Sequence, residues 1–257
     1  VHRRSLLHAL AGLGLAACSK ARTDAADGEV VVAAATSLRK VVPALADAFS
    51  TAHPGARVVV TYGASGEICK QVEGGAGIDL VLLAAADPVD RLIRGGHVDA
   101  ASRRVVATNE LVLVGRAGGP RLTFATLDVL PAGERLAIGD PGAVPAGGYA
   151  REALGKLGLW TKLEGRMVLG GNVAAVLAYV ERGEAPVGIV YRTEAEGAKG
   201  IEVLDVARGE WAPRPEVVGG MVKSGRGRAR AATLLDFVTS PEGQRLLVQY
   251  GFGPPPP

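Results

Sequence analysis

Apolar residues follow two rhythms along this chain. Short continuous runs suit strands buried on both faces, and stretches in which an apolar residue returns every three or four positions suit helices packed along one stripe. Val30-Val31-Val32 predicts a strand, and Leu38, Val41, Val42, Leu45 and Phe49 predict a helix beginning at Ser37. Val58 to Tyr62 predicts the next strand and Ser65 with Ile68 and Val72 the next helix. Asp79 to Ala84 reads as a buried parallel strand, and Leu92 with Ile93 as part of a further helix. Leu111 to Val114 predicts a strand that ends at the turn from Gly115 to Pro120. A second series follows, with strands at Leu136 to Ile138, Met167 to Leu169 and Val187 to Tyr191 and helices at Tyr149 to Leu157 and Val173 to Glu181. Helices at Ala231 to Val238 and Pro241 to Tyr250 precede an extended tail from Pro254 to Pro257.

Strands alternating with helices imply an α/β fold in which mostly parallel sheets are flanked by helices. Strand-like segments near 107–114 and 216–222 interrupt the series and suggest crossings between two lobes. The expected division is 30–107 for lobe 1, 108–215 for lobe 2, and 216–257 for a return to lobe 1 and the tail, with a ligand cleft between the lobes.

The first residues, VHRRSLLHALAGLGLAAC, lack this rhythm. A basic start, an apolar run from Leu6 and small residues before Cys18 have the order of a signal peptide, and the run falls short of the roughly 20 residues that span a membrane. Leu15-Ala16-Ala17-Cys18 resembles a bacterial lipobox, so residues 1–17 are expected to be removed and Cys18 to carry a lipid. Arg3-Arg4 leaves Sec and twin-arginine export both open. Residues 18–29 then form an anchor and polar tether, and the domain lies outside the cytoplasm. Cys69 becomes the single thiol of the mature chain, which excludes an internal disulfide; a lone cysteine among apolar residues reads as core.

Removing Arg3 and Arg4 from the 29 basic residues leaves 27 against 26 acidic ones. A nearly neutral chain has no electrostatic footprint for nucleic acid, and the run of Lys223, Arg226, Arg228 and Arg230 reads as a solvated loop entering a helix. Enzyme signatures are poor. His53 and His97 stand in no metal-ligand spacing, H-E-x-x-H and Walker A patterns are absent, and Gly63-Ala64-Ser65-Gly66 departs from a nucleophile elbow. A lipoprotein hydrolase using Ser65 is the alternative from a different class.

What stands out is a set of hydroxyl- and glycine-rich turns where strands pass into helices. Helix-start amides lack intrahelical partners and sit at the positive end of the macrodipole, so they receive anions without a charged side chain. Ser37 and Ser65 each offer a hydroxyl beside such amides; each alone is also a plain N-cap. Together, at the C-terminal ends of neighbouring strands, they mark the edge where open α/β sheets bind ligands.

Four segments resemble the periplasmic molybdate-binding proteins of ABC transporters: VVVAAATSL (30–38), TYGASGEICKQVEGGAGIDL (61–80), GDPGAVPAGGYAREAL (139–154) and NVAAVLAYVERGEAPVGIVY (172–191). The resemblance runs from Val30 to Phe252. It implies a two-lobed periplasmic-binding-protein fold of type II and a monomeric, non-enzymatic subunit that binds molybdate or tungstate and passes it to an inner-membrane ABC permease. By the same resemblance, Ser37 and Ser65 donate hydroxyls and amides, Ala146 and Val173 donate backbone amides, and Tyr191 donates its phenol. No cofactor is implied, and the metal enters inside the oxyanion, with no side chain coordinating it. Another tetrahedral oxyanion such as sulfate is the alternative ligand. Thr36 stands where the family commonly has alanine, and Gly66 where serine is frequent.

Overall fold

The computed structural model describes residues 28–256. The expected signal peptide, the lipid attachment at Cys18 and the tether up to residue 27 lie outside the described residues, as does Pro257.

Among the described residues, ten strands form two five-stranded sheets. The first contains β1 (Glu29–Ala35), β2 (Arg57–Gly63), β3 (Leu80–Leu83), β4 (Arg104–Thr108) and β10 (Glu216–Met221), in the order β2-β1-β3-β10-β4. The second contains β5 (Leu111–Arg116), β6 (Leu136–Gly139), β7 (Met167–Gly170), β8 (Val187–Tyr191) and β9 (Ile201–Val206), in the order β7-β6-β8-β5-β9. Each sheet is mixed. β1, β2 and β3 are parallel, as are β6, β7 and β8, whereas β10 runs antiparallel to β3 and β4, and β5 to β8 and β9. The central strands β3 and β8 are wholly buried, as their unbroken apolar runs LVLL and VGIVY require.

The helices that matter for the site follow the parallel strands. α1 (Val42–Ala52) follows β1, α2 (Ser65–Glu73) follows β2, and α3 (Ala86–Arg94) follows β3. In the second lobe α4 (Pro145–Lys156) follows β6, a short α5 (Trp160–Leu163) comes next, and α6 (Val173–Glu181) follows β7. A single turn, α7 (Arg192–Ala195), follows β8, and α8 (Arg228–Thr239) and α9 (Pro241–Gln249) pack back on the first sheet.

Several boundaries differ from the apolar rhythm, for identifiable reasons. The helix expected from Ser37 is a 3-10 turn, Thr36–Leu38, followed by α1 from Val42. Pro43 stands at the second position of α1; farther along a continuous helix its ring would clash with the carbonyl of Arg39. α4 begins at Pro145 rather than Tyr149, with proline at the first helical position where its missing N–H costs nothing. Gly147 and Gly148 disguise that start. A Cβ at Gly147 would lie 2.0 Å from the carbonyl oxygen of Gly139, so glycine lets α4 press onto β6. The segments expected to cross between lobes are sheet strands; the chain crosses at Asn109–Glu110 and again between Val206 and Glu216.

The largest apolar cluster is continuous through both lobes, joining Ala35, Ala64 and Ala84 to Val144, Ala146, Val173 and Tyr191. The lobes are therefore closed on one another. Within the first lobe, buried Asp79 ties the first strand to the start of α8: its carboxylate accepts from the amides of Val31 and Gly227, both at 2.8 Å. Asp79→Ala leaves two part-buried amides unpaired, so it is expected to cost about 1 to 3 kcal/mol, measured as a fall in the denaturant midpoint. A midpoint within experimental error of wild type would show that water replaces the carboxylate there.

Candidate functional site

All five residues singled out by the sequence line one small cavity between the lobes. Each sits where a parallel strand ends. Ser37 lies in the 3-10 turn after β1, Ser65 opens α2 after β2, Ala146 is the second residue of α4 after β6, Val173 opens α6 after β7, and Tyr191 is the last residue of β8. All five are buried. The cavity leaves about 20 Å³ for the centres of water-sized atoms, enough for one small ion or a water, which needs roughly 10–15 Å³ on this measure.

The donors are set by local structure. The amides of Ser65, Ala146 and Val173 fall in the first turns of their helices, where no intrahelical acceptor exists. The capping groups occupy neighbouring amides instead. Asn172 Oδ1 accepts from Ala175 N at 2.9 Å, and Glu67 Oε2 accepts from Ala64 N at 3.1 Å. Ala64 has no side-chain acceptor to reciprocate, so the α2 start is capped on one side only. The amide of Gly66 reaches across to the Ala143 carbonyl at 3.3 Å. Ser65 Oγ accepts from Ala84 N at 3.4 Å, which leaves its own proton free to donate.

Tyr191 differs from the others. Its Oη donates to the Ala84 carbonyl at 3.0 Å, from the second lobe to the first. A phenol has one proton, so donation to a ligand requires Tyr191 to release Ala84. Burial first, then the neighbouring Tyr149 and Glu194, hold its pKa well above the ordinary value, and the ring of Tyr149 meets it edge-on at 6.4 Å. Tyr191 thus stays a neutral donor.

The cavity walls carry hydroxyls, amides and apolar groups, with no Asp, Glu, Lys, Arg or His among its lining residues. Among the described residues no group of three or more His, Cys, Asp or Glu side chains is placed to hold a metal ion. A hydrolytic site is also missing: no carboxylate or imidazole bonds the Ser65 hydroxyl among the described residues. Cys69 is buried, with Sγ 3.5 Å from the Pro88 carbonyl and its thiol pushed up to about 11 by burial, the opposite of an activated nucleophile.

Some contributors carry no sequence signal. Ala84 acts through its backbone alone, and Thr36, seen only as a departure from a pattern, also lines the cavity. A larger groove of about 340 Å³ by the same measure lies alongside, between α2, α3 and α4, with Arg91, Arg151 and Tyr149 on its walls. It belongs to the outer surface between the lobes.

The chain is similar to several known proteins. The molybdate-binding protein ModA of Escherichia coli is 33% identical over 255 residues, covering 97% of this chain and 98% of the relative. YvgL of Bacillus subtilis, provisionally named an ABC transporter substrate-binding lipoprotein, is 32% identical over 225 residues, covering 87% of this chain and 85% of the relative. The solved Azotobacter vinelandii periplasmic molybdate-binding protein superposes with a TM-score of 0.78 at 22% identity, covering 88% of this chain and all of that one, a likeness of fold. The family model described as "Bacterial extracellular solute-binding protein" matches residues 30–253. The chain belongs to that family: it is a solute-binding component of an ABC transporter and not an enzyme.

Proposed function

We propose that the interlobe cavity holds a doubly charged tetrahedral oxyanion, molybdate or tungstate, and that the closed protein delivers it to a membrane permease. The observation that carries this reading is a cavity lined by donors and free of charged side chains. Ser37 and Ser65 supply hydroxyls and amides, Ala146 and Val173 supply amides, and Tyr191 supplies its phenol once it lets go of Ala84.

Donor chemistry selects the protonation state of the ligand. Hydrogen phosphate at neutral pH brings a proton that needs an acceptor, and leaving it unpaired in a dry site costs about 1 to 3 kcal/mol. Molybdate, tungstate and sulfate are fully ionised and escape that cost. The magnitude suffices: micromolar affinity corresponds to about 8 kcal/mol, and about seven hydrogen bonds to a charged group at roughly 1.5 to 3 kcal/mol each exceed it before desolvation is subtracted. Size separates molybdate from sulfate, because rigid amides on two lobes cannot follow a shrinking ion. The similarity to proteins named for molybdate binding supports the larger anion for this chain. Lipid attachment at Cys18, in keeping with the name given to YvgL, would hold the binding domain beside its permease.

Calorimetric titration of ligand-free protein with molybdate, tungstate, sulfate and phosphate tests this directly. One-to-one binding of the two metal oxyanions with a weak or absent response to the others is expected, and silence toward both metal oxyanions from folded protein overturns the proposal. Ser37→Ala removes one charge-assisted hydroxyl donor and is expected to weaken molybdate binding by about 1.5 to 3 kcal/mol, roughly tenfold to a hundredfold.

The pH dependence has a definite sign. Ionised Tyr191 would lose its proton and repel the anion, but burial raises its pKa well above the ordinary value, so the donor form persists through ordinary alkaline pH. Molybdate affinity is expected to stay level between about pH 7 and about pH 9 in Tyr191 and Tyr191→Phe proteins alike. A decline confined to the Tyr191 protein, with a midpoint below about pH 9.5, would contradict the raised pKa.

A further inference from the structure

Lys40 reaches from one lobe to the other. Its ammonium donates to three main-chain carbonyls, those of Thr193 at 2.9 Å, Glu194 at 3.3 Å and Glu196 at 2.6 Å. The lysine belongs to the first lobe, just past the 3-10 turn that carries Ser37, and the carbonyls lie in and directly after α7, the turn that begins at the residue following Tyr191. The bridge therefore joins the two segments that bear the Ser37 and Tyr191 donors, one from each lobe.

Local structure explains why these carbonyls take an outside donor. The last carbonyls of a helix have no intrahelical partner, and the amides that follow α7 are engaged elsewhere: Glu196 N donates to the Arg192 carbonyl and Ala198 N to that of Ala195. A lysine near a helix end often fills this role from its own element; here it comes from the opposite lobe. Each end of the bridge is fixed in its own lobe. On one side, Val41 beside Lys40 and Val42 and Leu45 of α1 are buried. On the other, Ala195 lies in the second lobe's own apolar cluster, Arg192 N donates to the Glu110 carbonyl at 2.9 Å, and Asn109 Nδ2 donates to Thr193 Oγ1 at 2.9 Å.

We propose that Lys40 latches the lobes in their closed arrangement and is a positioning residue for the anion, holding the Ser37 turn against the end of β8 that carries Tyr191. The proposal rests on the oxyanion reading of the cavity. Rotation of the lobes about the crossings at Asn109–Glu110 and 207–215 draws the ammonium away from carbonyls that stay with α7. Lys40 is exposed, so water replaces the lost bonds on both sides and the latch costs little to release. It slows departure of the anion without sealing it in.

Stopped-flow release of molybdate from the parent, Lys40→Met, Lys40→Arg and Arg39→Gln proteins tests this. Spin labels at Gln71→Cys in α2 and Lys156→Cys in α4, both exposed positions on opposite lobes, report closure in each protein with and without molybdate. Arg39 is the control: it is adjacent and exposed and lies over the Tyr62 ring of its own lobe at 5.2 Å, so Arg39→Gln removes the same charge without breaking the bridge. For Lys40→Met, molybdate dissociation about three- to tenfold faster is expected, with association within about twofold of the parent and a larger share of wide label separations. Lys40→Arg recovers most of the slow release, and Arg39→Gln keeps the parent rate. Parent-like release and separations in Lys40→Met overturn the proposal, and so does equal acceleration by Arg39→Gln, which assigns the effect to charge alone. A parent protein that binds none of molybdate, tungstate, sulfate and phosphate refutes the oxyanion reading instead, and the label separations of Lys40→Met against the parent then judge the latch alone.

Discussion

A small, doubly charged ion can be buried only where every oxygen finds a donor, because an unpaired charge in a low-dielectric interior is among the most expensive things a protein can hold. Much of this architecture follows from meeting that demand without a counter-cation. Peptide N–H groups at helix starts are the neutral donors that a fold can aim rigidly, and parallel strands followed by helices bring many such starts to one sheet edge. Two sheets facing each other edge to edge supply donors from both sides: Ser37 and Ser65 from the first, Ala146 and Val173 from the second. The capping groups Asn172 and Glu67 complete the arrangement by occupying other amides and leaving these free.

The same demand explains the closeness of the packing around the site. Helix α4 reaches the cavity because Gly147 lies against Gly139, and the two lobes join in one apolar cluster through the alanines and valines of the cavity wall. Larger side chains at Ala35, Ala84 or Ala146 would fill the space that the anion needs. Tyr191 serves two states with one proton. It bridges to Ala84 when no anion competes and keeps its hydroxyl protonated through burial, so the cost of an unpaired phenol does not arise in either state.

Much of this could be read along the chain, within limits set by chemistry. The buried strands were legible because runs such as LVLL and VGIVY suit only a strand covered on both faces, and the helix starts because Ser65 and Asn172 precede periodic apolar positions. Of the edge strands, β2 and β7 were legible too, but the other two were not. β4 and β9 carry exposed or half-buried positions that blur their signal, and the break in the helix after Ser37 depends on a proline ring and a carbonyl four residues away. Ala146 and Val173 came from resemblance alone, since alanine and valine announce no backbone role. Ala84 and the Gly66–Ala143 contact left no trace at all, because backbone groups that meet across lobes have no sequence pattern. The fold was thus more readable than the site, whose donors are largely peptide groups common to every residue.

The central claim is that the ion sits among these donors and nowhere else. Crystals grown with molybdate and measured on both sides of the molybdenum absorption edge would locate it without reference to any residue. The account predicts a single strong anomalous peak in the cavity, within hydrogen-bonding distance of Ser37, Ser65, Ala146 and Val173, with the Tyr191 hydroxyl turned from Ala84 toward it. A peak in the outer groove beside Arg91 and Arg151, with the cavity empty, would contradict it.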